Sequence, residues 1–153
     1  FVYPVKNPNR FGVATLKGNK IINLIEKPKK TTSSLAVTGL YFFDNSVNKK
    51  TLNLKKSKRK EFEIIDLLNI YKKNNLLKVE HLGRGAAWLD AGTIDDFNQT
   101  SIFVSSIEKR QGLKIACLEE IALLNKWIDK KKLIKAISFY GNCDYSKYLK
   151  TLI

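Results

Sequence analysis

Methionine is absent from this sequence, and histidine and cysteine are scarce: its 153 residues contain one histidine and two cysteines. No HExxH or CxxC pattern is present, so the usual zinc-binding motifs are excluded. We expect the lone His81, which lies in a strand-like run, to be structural or surface-exposed. Cys117 and Cys143 have no metal-type spacing, and we expect free thiols. Because the chain contains no methionine, we expect it to be the later part of a longer polypeptide.

Two further patterns are missing. The eight glycines form no GxGxxG and there is no Walker loop, so if the protein handles a nucleotide, the usual phosphate cradle does not lie in these residues. No apolar run approaches the length of a membrane span, and the first residues show no secretory pattern. We therefore expect a cytoplasmic protein with no membrane partner.

Arginine is also rare, although the chain is strongly basic. Lysine and arginine number 28 against 14 acidic residues, a net charge of +14, yet only Arg10, Arg59, Arg84 and Arg110 are arginines. Because the chain is also rich in Ile and Asn, we interpret the lysines as a compositional bias on a solvated face. Net charge informs solubility and non-specific binding rather than fold, and we expect no nucleic-acid partner. The 44% hydrophobic content suffices for a real core.

Strand signals dominate the first 90 residues. FVYPV is apolar and extended, and a hairpin is predicted from Val13 to Ile25 with Gly18-Asn19 at its turn. Pro28 should end the returning strand because it lacks an N–H. The run from Leu35 to Phe43 resembles a central strand, and further short strands are predicted in LLKVEHL and AAWLD.

Helical periodicity takes over in the second half. An amphipathic helix is predicted from Glu63 to Lys73, with Ile64, Leu67, Leu68 and Tyr71 as its apolar face. A short helix that Asp44 or Asn45 begins and that ends near Leu54 is predicted before it. A longer helix should begin after the N-cap Thr93 and end before Gly112, with Phe97, Ile102, Phe103 and Ile107 as its apolar face. Three short helices are then predicted within residues 119–127, 131–139 and 145–152. The order predicts a mixed α/β domain over residues 1–112 and an all-helical extension over residues 113–153.

Asp90 is the first candidate for chemistry. It follows the apolar pair Trp88-Leu89 at the end of a strand-like run, where α/β sheets usually open to ligands. Burying a carboxylate without a partner is costly. Asp90 therefore either holds Mg²⁺, which takes one or two carboxylates plus substrate phosphates, or caps the helix that begins near Thr93.

Two other segments are candidate binding sites. Glu26 and Lys27 precede Pro28 at a strand end, where a carboxylate can bind sugar hydroxyls and an ammonium can neutralise a phosphate. The alternative is a solvated surface pair. The segment from Val37 to Gly39 offers backbone groups where glycine permits close approach, or else is simply a central core strand.

Six segments in this order, with matching gaps, resemble the C-terminal half of the bacterial glucose-1-phosphate thymidylyltransferases, a branch of the sugar-nucleotide nucleotidyltransferases. The resemblance covers nearly all 153 residues, including the closing DYSKYL. The segments are RFGV, IEKP, AVTGLYFFDNSV, FEIIDLLNIY, GRGAAWLDAGT and SIEKRQGLKIACLEEIA.

The resemblance implies a fold and a reaction. The fold would be part of a Rossmann-like mixed sheet with a helical C-terminal extension. The reaction would transfer a thymidylyl group from dTTP to glucose 1-phosphate, giving dTDP-glucose and pyrophosphate with Mg²⁺ as cofactor. Family members assemble as tetramers, so a homo-oligomer is expected. The family's glycine-rich nucleotide loop and second Mg²⁺ carboxylate belong to its earlier half and are absent here. The alternative is therefore a non-catalytic regulatory or oligomerisation fragment of such an enzyme.

The resemblance also implies residue roles on the sugar side. Gly12 and Val37 would contact the sugar through their backbone, and Glu26 would bind its hydroxyls. Lys27 would lie on the sugar phosphate, and Tyr41 would line the pocket.

Asp90 would be a Mg²⁺ ligand by the same resemblance, and with Lys27 it is the catalytic candidate. The sequence departs from the family at Ala86-Ala87, Ala91 and Leu118, but none of these departures removes a ligand.

Overall fold

A computed structural model describes residues 1–153. Its contacts divide the chain into two units, Phe1–Trp88 and Leu89–Ile153, called here the N-terminal unit and the C-terminal unit. The N-terminal unit holds one four-stranded sheet, two α-helices and a short 3-10 helix (Pro8–Arg10), and the C-terminal unit is helical. The fold class is therefore mixed α/β.

The sheet is antiparallel, with strand order β1-β4-β2-β3. Its strands are β1 (Val2–Pro4), β2 (Gly12–Lys17), β3 (Lys20–Glu26) and β4 (Leu35–Val37). The predicted hairpin is confirmed, since β2 and β3 pair across Gly18-Asn19, where Gly18 adopts a φ of +58°. The register shifts between Thr15 and Leu16, which is a β-bulge.

The predicted strand from Leu35 to Phe43 is wrong in extent, because β4 ends at Val37. The N–H and hydroxyl of Thr38 both donate to the carbonyl of Phe1, at 3.0 and 3.1 Å. Phe1 immediately precedes β1, which begins at Val2, so this contact marks the end of the ladder between β1 and β4. Beyond Thr38 no strand lies opposite, so the apolar residues that follow leave the ladder, and Phe42 is 83% exposed.

The two other predicted short strands do not form either. Residues 80–82 run parallel to β1 through two hydrogen bonds, from the Val2 N–H to the Glu80 carbonyl and from the Leu82 N–H to the Val2 carbonyl. They yield a single isolated bridge, Val2 with His81. AAWLD forms no strand; the Trp88 ring instead contacts Tyr3 of β1 and Phe11, which precedes β2.

Helix α2 (Ile64–Lys73) confirms the amphipathic prediction and packs on the hairpin. Its Asn69 and Lys72 side chains donate to carbonyls of β3 at 3.3 and 2.8 Å. The buried face carries Ile65 where the periodicity indicated Ile64. A shorter helix, α1 (Val47–Thr51), precedes it. The buried core joins sheet and helix through Val2, Ala14, Ile21, Leu24, Ile65, Leu68 and Val79.

The C-terminal unit begins with α3 (Ile94–Gln111), as predicted. The Thr93 hydroxyl caps it by accepting the Asp96 N–H, and Gly112 ends it with a φ of +70°. Its apolar face is not buried: Phe97 and Ile102 are 63% and 53% exposed. Three helices follow, as predicted, and none of the chain's helices is long and apolar enough to span a membrane. They are α4 (Leu118–Leu124), α5 (Lys130–Tyr140) and α6 (Asp144–Lys150).

The three closing helices pack on a small core with a polar network beside it. Cys117, Leu133 and Leu149 belong to that core. The hydroxyls of Tyr140 and Tyr145 donate to the two carboxylate oxygens of Glu119, the first at 2.8 Å. Both cysteines are free thiols, as predicted.

Candidate functional site

Glu26 lies at the end of β3, directly opposite Gly12 of β2. A Cβ atom on Gly12 would lie 3.2 Å from Glu26 Oε2 and only 2.6 Å from Ile65 Cδ1. The missing side chain therefore leaves room, on one face of the hairpin, for both the Glu26 carboxylate and Ile65 of α2. A glycine at this position admits close approach to the strand end.

Lys27 turns away from the strand immediately after Glu26. It adopts a φ of +40°, which is unusual for a residue with a side chain. Its N–H still donates to the Phe11 carbonyl at 3.0 Å, and Pro28 is buried behind it. The chain therefore makes a sharp turn that leaves the Lys27 side chain exposed beside the Glu26 carboxylate.

Arg59 is the residue that sequence reasoning missed. Its guanidinium lies 2.7 Å from Glu61 Oε2 and 3.6 Å from both Glu26 Oε1 and Glu63 Oε1. In the sequence it belongs to KKSKRKEFE, which reads only as a charged connector. The one available signal was that Arg59 is the sole arginine in this basic run, since arginine is favoured over lysine for planar recognition of carboxylate and phosphate.

The Glu26 carboxylate has capacity to accept hydrogen bonds. Burial raises its pKa, the charge of Glu63 raises it further, and Lys27 and Arg59 offset part of the increase. The distance to Arg59 exceeds that of a hydrogen bond, and no other donor of the chain reaches this carboxylate. A half-buried carboxylate in this state favours a ligand that brings its own O–H donors.

Val37 and Tyr41 lie on the same unit, near the start of the segment that leaves the sheet. Val37 pairs with Val2, and the Tyr41 ring stacks on Phe43 at 5.9 Å between centroids. Burial raises the pKa of Tyr41, and the charge of Glu26 raises it further. Both residues line a cavity of about 420 Å³ whose other walls are mostly apolar.

Asp90 belongs to the C-terminal unit, unlike the other predicted site residues. It is exposed, and its Oδ2 lies 3.0 Å from where a Cβ on Gly92 would be. The alternative role as helix N-cap is wrong, because Thr93 fills that position. Asp90 is therefore an exposed carboxylate with no structural task in the helix start.

The chain holds no cluster of three or more His, Cys, Asp or Glu side chains that could bind a metal ion. It can still supply one carboxylate, which fits Mg²⁺, because that ion is usually bound by one or two carboxylates together with substrate phosphates and water. The donor chemistry of Asp90 is compatible with such a partial site.

Residues 1–106 match the family model described as Nucleotidyl transferase, and this chain therefore belongs to the nucleotidyl transferase family. Among its relatives, the glucose-1-phosphate thymidylyltransferase of Neisseria meningitidis serogroup A is 43% identical over all of this chain and 54% of its own length. The enzyme of that name from Mycobacterium tuberculosis strain H37Rv is 40% identical, with the same coverage. The chain spans about half the length of the curated relatives it matches.

One solved structure extends the likeness to three dimensions. It is a Bacillus anthracis protein assigned as a glucose-1-phosphate thymidylyltransferase, crystallised in complex with a sucrose. It shares 39% identity with this chain and superposes with a TM-score of 0.60, over 67% of this chain and 41% of its own. The mixed α/β fold is therefore similar to that of this relative.

Proposed function

We propose that this chain supplies the sugar-phosphate side of a glucose-1-phosphate thymidylyltransferase. Glucose 1-phosphate would attack the α-phosphorus of dTTP through a phosphate oxygen, the bond to the β-phosphate would break, and pyrophosphate would leave with dTDP-glucose as product. The observation that carries the proposal is the end of the hairpin, where the Glu26 carboxylate lacks a hydrogen-bond donor and lies beside two cations. Curated relatives of that name match the whole chain.

The hairpin end suits a sugar that carries a phosphate. Glu26 would accept hydrogen bonds from sugar hydroxyls, and the backbone of Gly12 and Val37 would hold the ring. Lys27 would neutralise the sugar phosphate, and Tyr41 would close the apolar side. Such groups act by positioning and charge neutralisation, which account for most of the catalysis of phosphoryl and nucleotidyl transfer.

Asp90 would supply one carboxylate to Mg²⁺, which when bound would neutralise charge on the reacting phosphates. We further propose that residues 1–112 belong to a Rossmann-like core and residues 113–153 to its helical extension. A tetramer and a cytoplasmic location stay predictions. The remaining nucleotide-binding groups would come from polypeptide that matches the other half of the relatives.

Binding of glucose 1-phosphate to the purified chain, measured by calorimetry, tests the sugar-side assignment. Glu26→Gln should weaken binding by about tenfold or more, because a hydrogen bond to a charged group contributes roughly 1.5–3 kcal/mol. Asp66→Asn, at an exposed carboxylate of the same unit that does not line the cavity beside Tyr41, is the control and should bind as the wild type does. Self-association without any binding of glucose 1-phosphate would instead favour the non-catalytic alternative.

The metal assignment needs turnover, so the chain is mixed with the unmatched half of the Neisseria relative and supplied with dTTP, glucose 1-phosphate and Mg²⁺. Asp90→Asn should lower kcat/KM for pyrophosphate release by at least about tenfold, because a metal contributes several kcal/mol of charge stabilisation. Asp95→Asn removes the same charge from a nearby exposed position and should keep nearly full activity. If Asp90→Asn turns over like Asp95→Asn, Asp90 is not a metal ligand.

A further inference from the structure

Two lysine-rich loops meet at the strand end that carries Glu26. One is residues 27–30, which follow β3, and the other is residues 55–63, which precede α2. The 3.6 Å ion pair between Arg59 and Glu26 ties the second loop to the end of β3. Within that loop the Ser57 N–H donates to the Glu61 carbonyl and the Lys60 N–H to the Ser57 carbonyl, at 2.8 and 2.9 Å. The loop is therefore a compact turn docked on the hairpin.

The charge gathered there is large. The two loops and Glu26 together carry eight cations and three carboxylates, a local net charge of +5 out of +14 for the whole chain. All three carboxylates lie within ion-pair distance of Arg59. Apart from Lys27, six exposed lysines of these loops have no carboxylate within ion-pair distance. This basic rim comprises Lys29, Lys30, Lys55, Lys56, Lys58 and Lys60.

We propose that the basic rim is an electrostatic landing surface for phosphorylated substrate, separate from the groups that bind the sugar itself. This inference rests on the proposed function. Clustered charge of one sign raises the local concentration of an oppositely charged ligand and the rate of its encounter, and salt screens the effect. The uncompensated rim lysines would attract a phosphate ester and leave its orientation to Glu26 and Lys27.

The rim is distinguishable from the general lysine excess of the chain. Lys131, Lys132 and Lys135 of α5 are equally exposed but belong to the C-terminal unit. Replacing three rim lysines or three α5 lysines with glutamine removes the same charge, and only the rim change touches the loop beside Glu26. If the rim attracts the ligand, the rim variant should lose more affinity than the α5 variant. If only the overall charge of the chain matters, the two variants should lose the same affinity.

The test compares the wild type with Lys55→Gln/Lys56→Gln/Lys58→Gln and with Lys131→Gln/Lys132→Gln/Lys135→Gln. Calorimetry gives the Kd of glucose 1-phosphate, and separately of pyrophosphate, from about 25 to 300 mM NaCl. The rim variant should bind both ligands about three- to tenfold more weakly at the lowest salt and converge with the wild type at the highest. The α5 variant should change by less than about twofold, and circular dichroism checks that all three proteins are folded.

Each other outcome has a defined meaning. Equal losses of affinity in the two variants, or no loss of affinity in either, overturn the proposal that the rim attracts the substrate. Pyrophosphate binding that depends on the rim, without any binding of glucose 1-phosphate, supports the rim as an anion-binding surface and overturns the proposed function instead. Tighter rim-dependent binding of a single-stranded oligonucleotide than of pyrophosphate overturns the proposal in favour of a nucleic-acid partner.

Discussion

Glu26 of the N-terminal unit and Glu119 of the C-terminal unit are both half-buried glutamates, yet their surroundings act in opposite directions. Burial and the charge of Glu63 raise the pKa of Glu26. Burial would also raise the pKa of Glu119, but hydrogen bonds from Tyr145 and Tyr140 outweigh it and lower the pKa. One carboxylate is satisfied by its own chain and the other is not, which is the difference expected between a structural group and a binding group.

Gly12→Ala should have the largest effect on the Glu26 side of this comparison. The new Cβ would lie 2.6 Å from Ile65 Cδ1 and 3.2 Å from Glu26 Oε2, so both α2 and the carboxylate must shift. Overpacking of this kind costs about 1–3 kcal/mol of unfolding free energy. Urea unfolding followed by Trp88 fluorescence, in a Trp127→Phe background, measures it. Gly85→Ala, where a Cβ meets nothing within 4 Å, should change stability little; an equal loss in both variants would refute the packing argument.

Exchanging each glutamate for glutamine should separate the two roles. Glu119→Gln replaces one acceptor oxygen of the tyrosine network with an N–H₂ donor, so the C-terminal unit should lose about 1 kcal/mol. Glu26→Gln should leave the N-terminal unit as stable as before or slightly more so, because it removes a carboxylate whose charge is disfavoured there. Amide hydrogen exchange resolved by peptide reports the two units separately, from α5 and from β2–β3. Destabilisation of both units to the same extent would remove the distinction.

Acidification gives a smaller but sign-specific test. The raised pKa of Glu26 means that its favourable contribution is complete below the unfolded value near 4.5 and is lost as pH rises through the folded pKa. The lowered pKa of Glu119 means that its contribution is complete above that value and is lost as pH falls through the folded pKa. Amide hydrogen exchange between pH 7 and pH 4 gives the stability of each unit in the wild type and in the variants. As pH falls, the stability difference between wild type and Glu26→Gln should therefore disappear at a higher pH than the difference between wild type and Glu119→Gln. Closure in the reverse order would contradict both assignments.

Local signals in the sequence predicted those parts of the fold that depend on near neighbours. Gly18-Asn19 indicated the hairpin turn, and Thr93 and Gly112 indicated the ends of α3, because each acts on residues within one turn of itself. The extent of β4 was not predictable in this way. Its apolar run continues to Phe43, but strand pairing stops where β1 begins, and that partner lies more than 30 residues away in sequence.

The candidate site also combines residues that local sequence predicts with a residue that only tertiary contacts reveal. Glu26 and Lys27 were predicted as site residues from their place at a strand end, and Gly12 from the resemblance of its motif. Arg59 was missed because it is one of five cations within six residues, and only the tertiary structure shows which of them lies against Glu26. Helix α3 was predicted correctly, but its apolar face is exposed. Periodicity identifies the apolar residues of a helix and does not show whether other parts of the chain bury them.

The β-bulge in the hairpin determines which residue of β2 pairs with Glu26 at the end of β3. Between the turn and the shift, Leu16 pairs with Ile21; after it, Thr15 pairs with Asn23, so β3 carries one residue more than β2 there. If the register of Leu16 with Ile21 continued along the hairpin without the shift, Glu26 would pair with Phe11 instead of Gly12. A one-residue slip of this kind sends side chains to the opposite face of a sheet. The face of the sheet on which the Glu26 carboxylate lies is thus fixed by the β-bulge, which is several residues away along the hairpin.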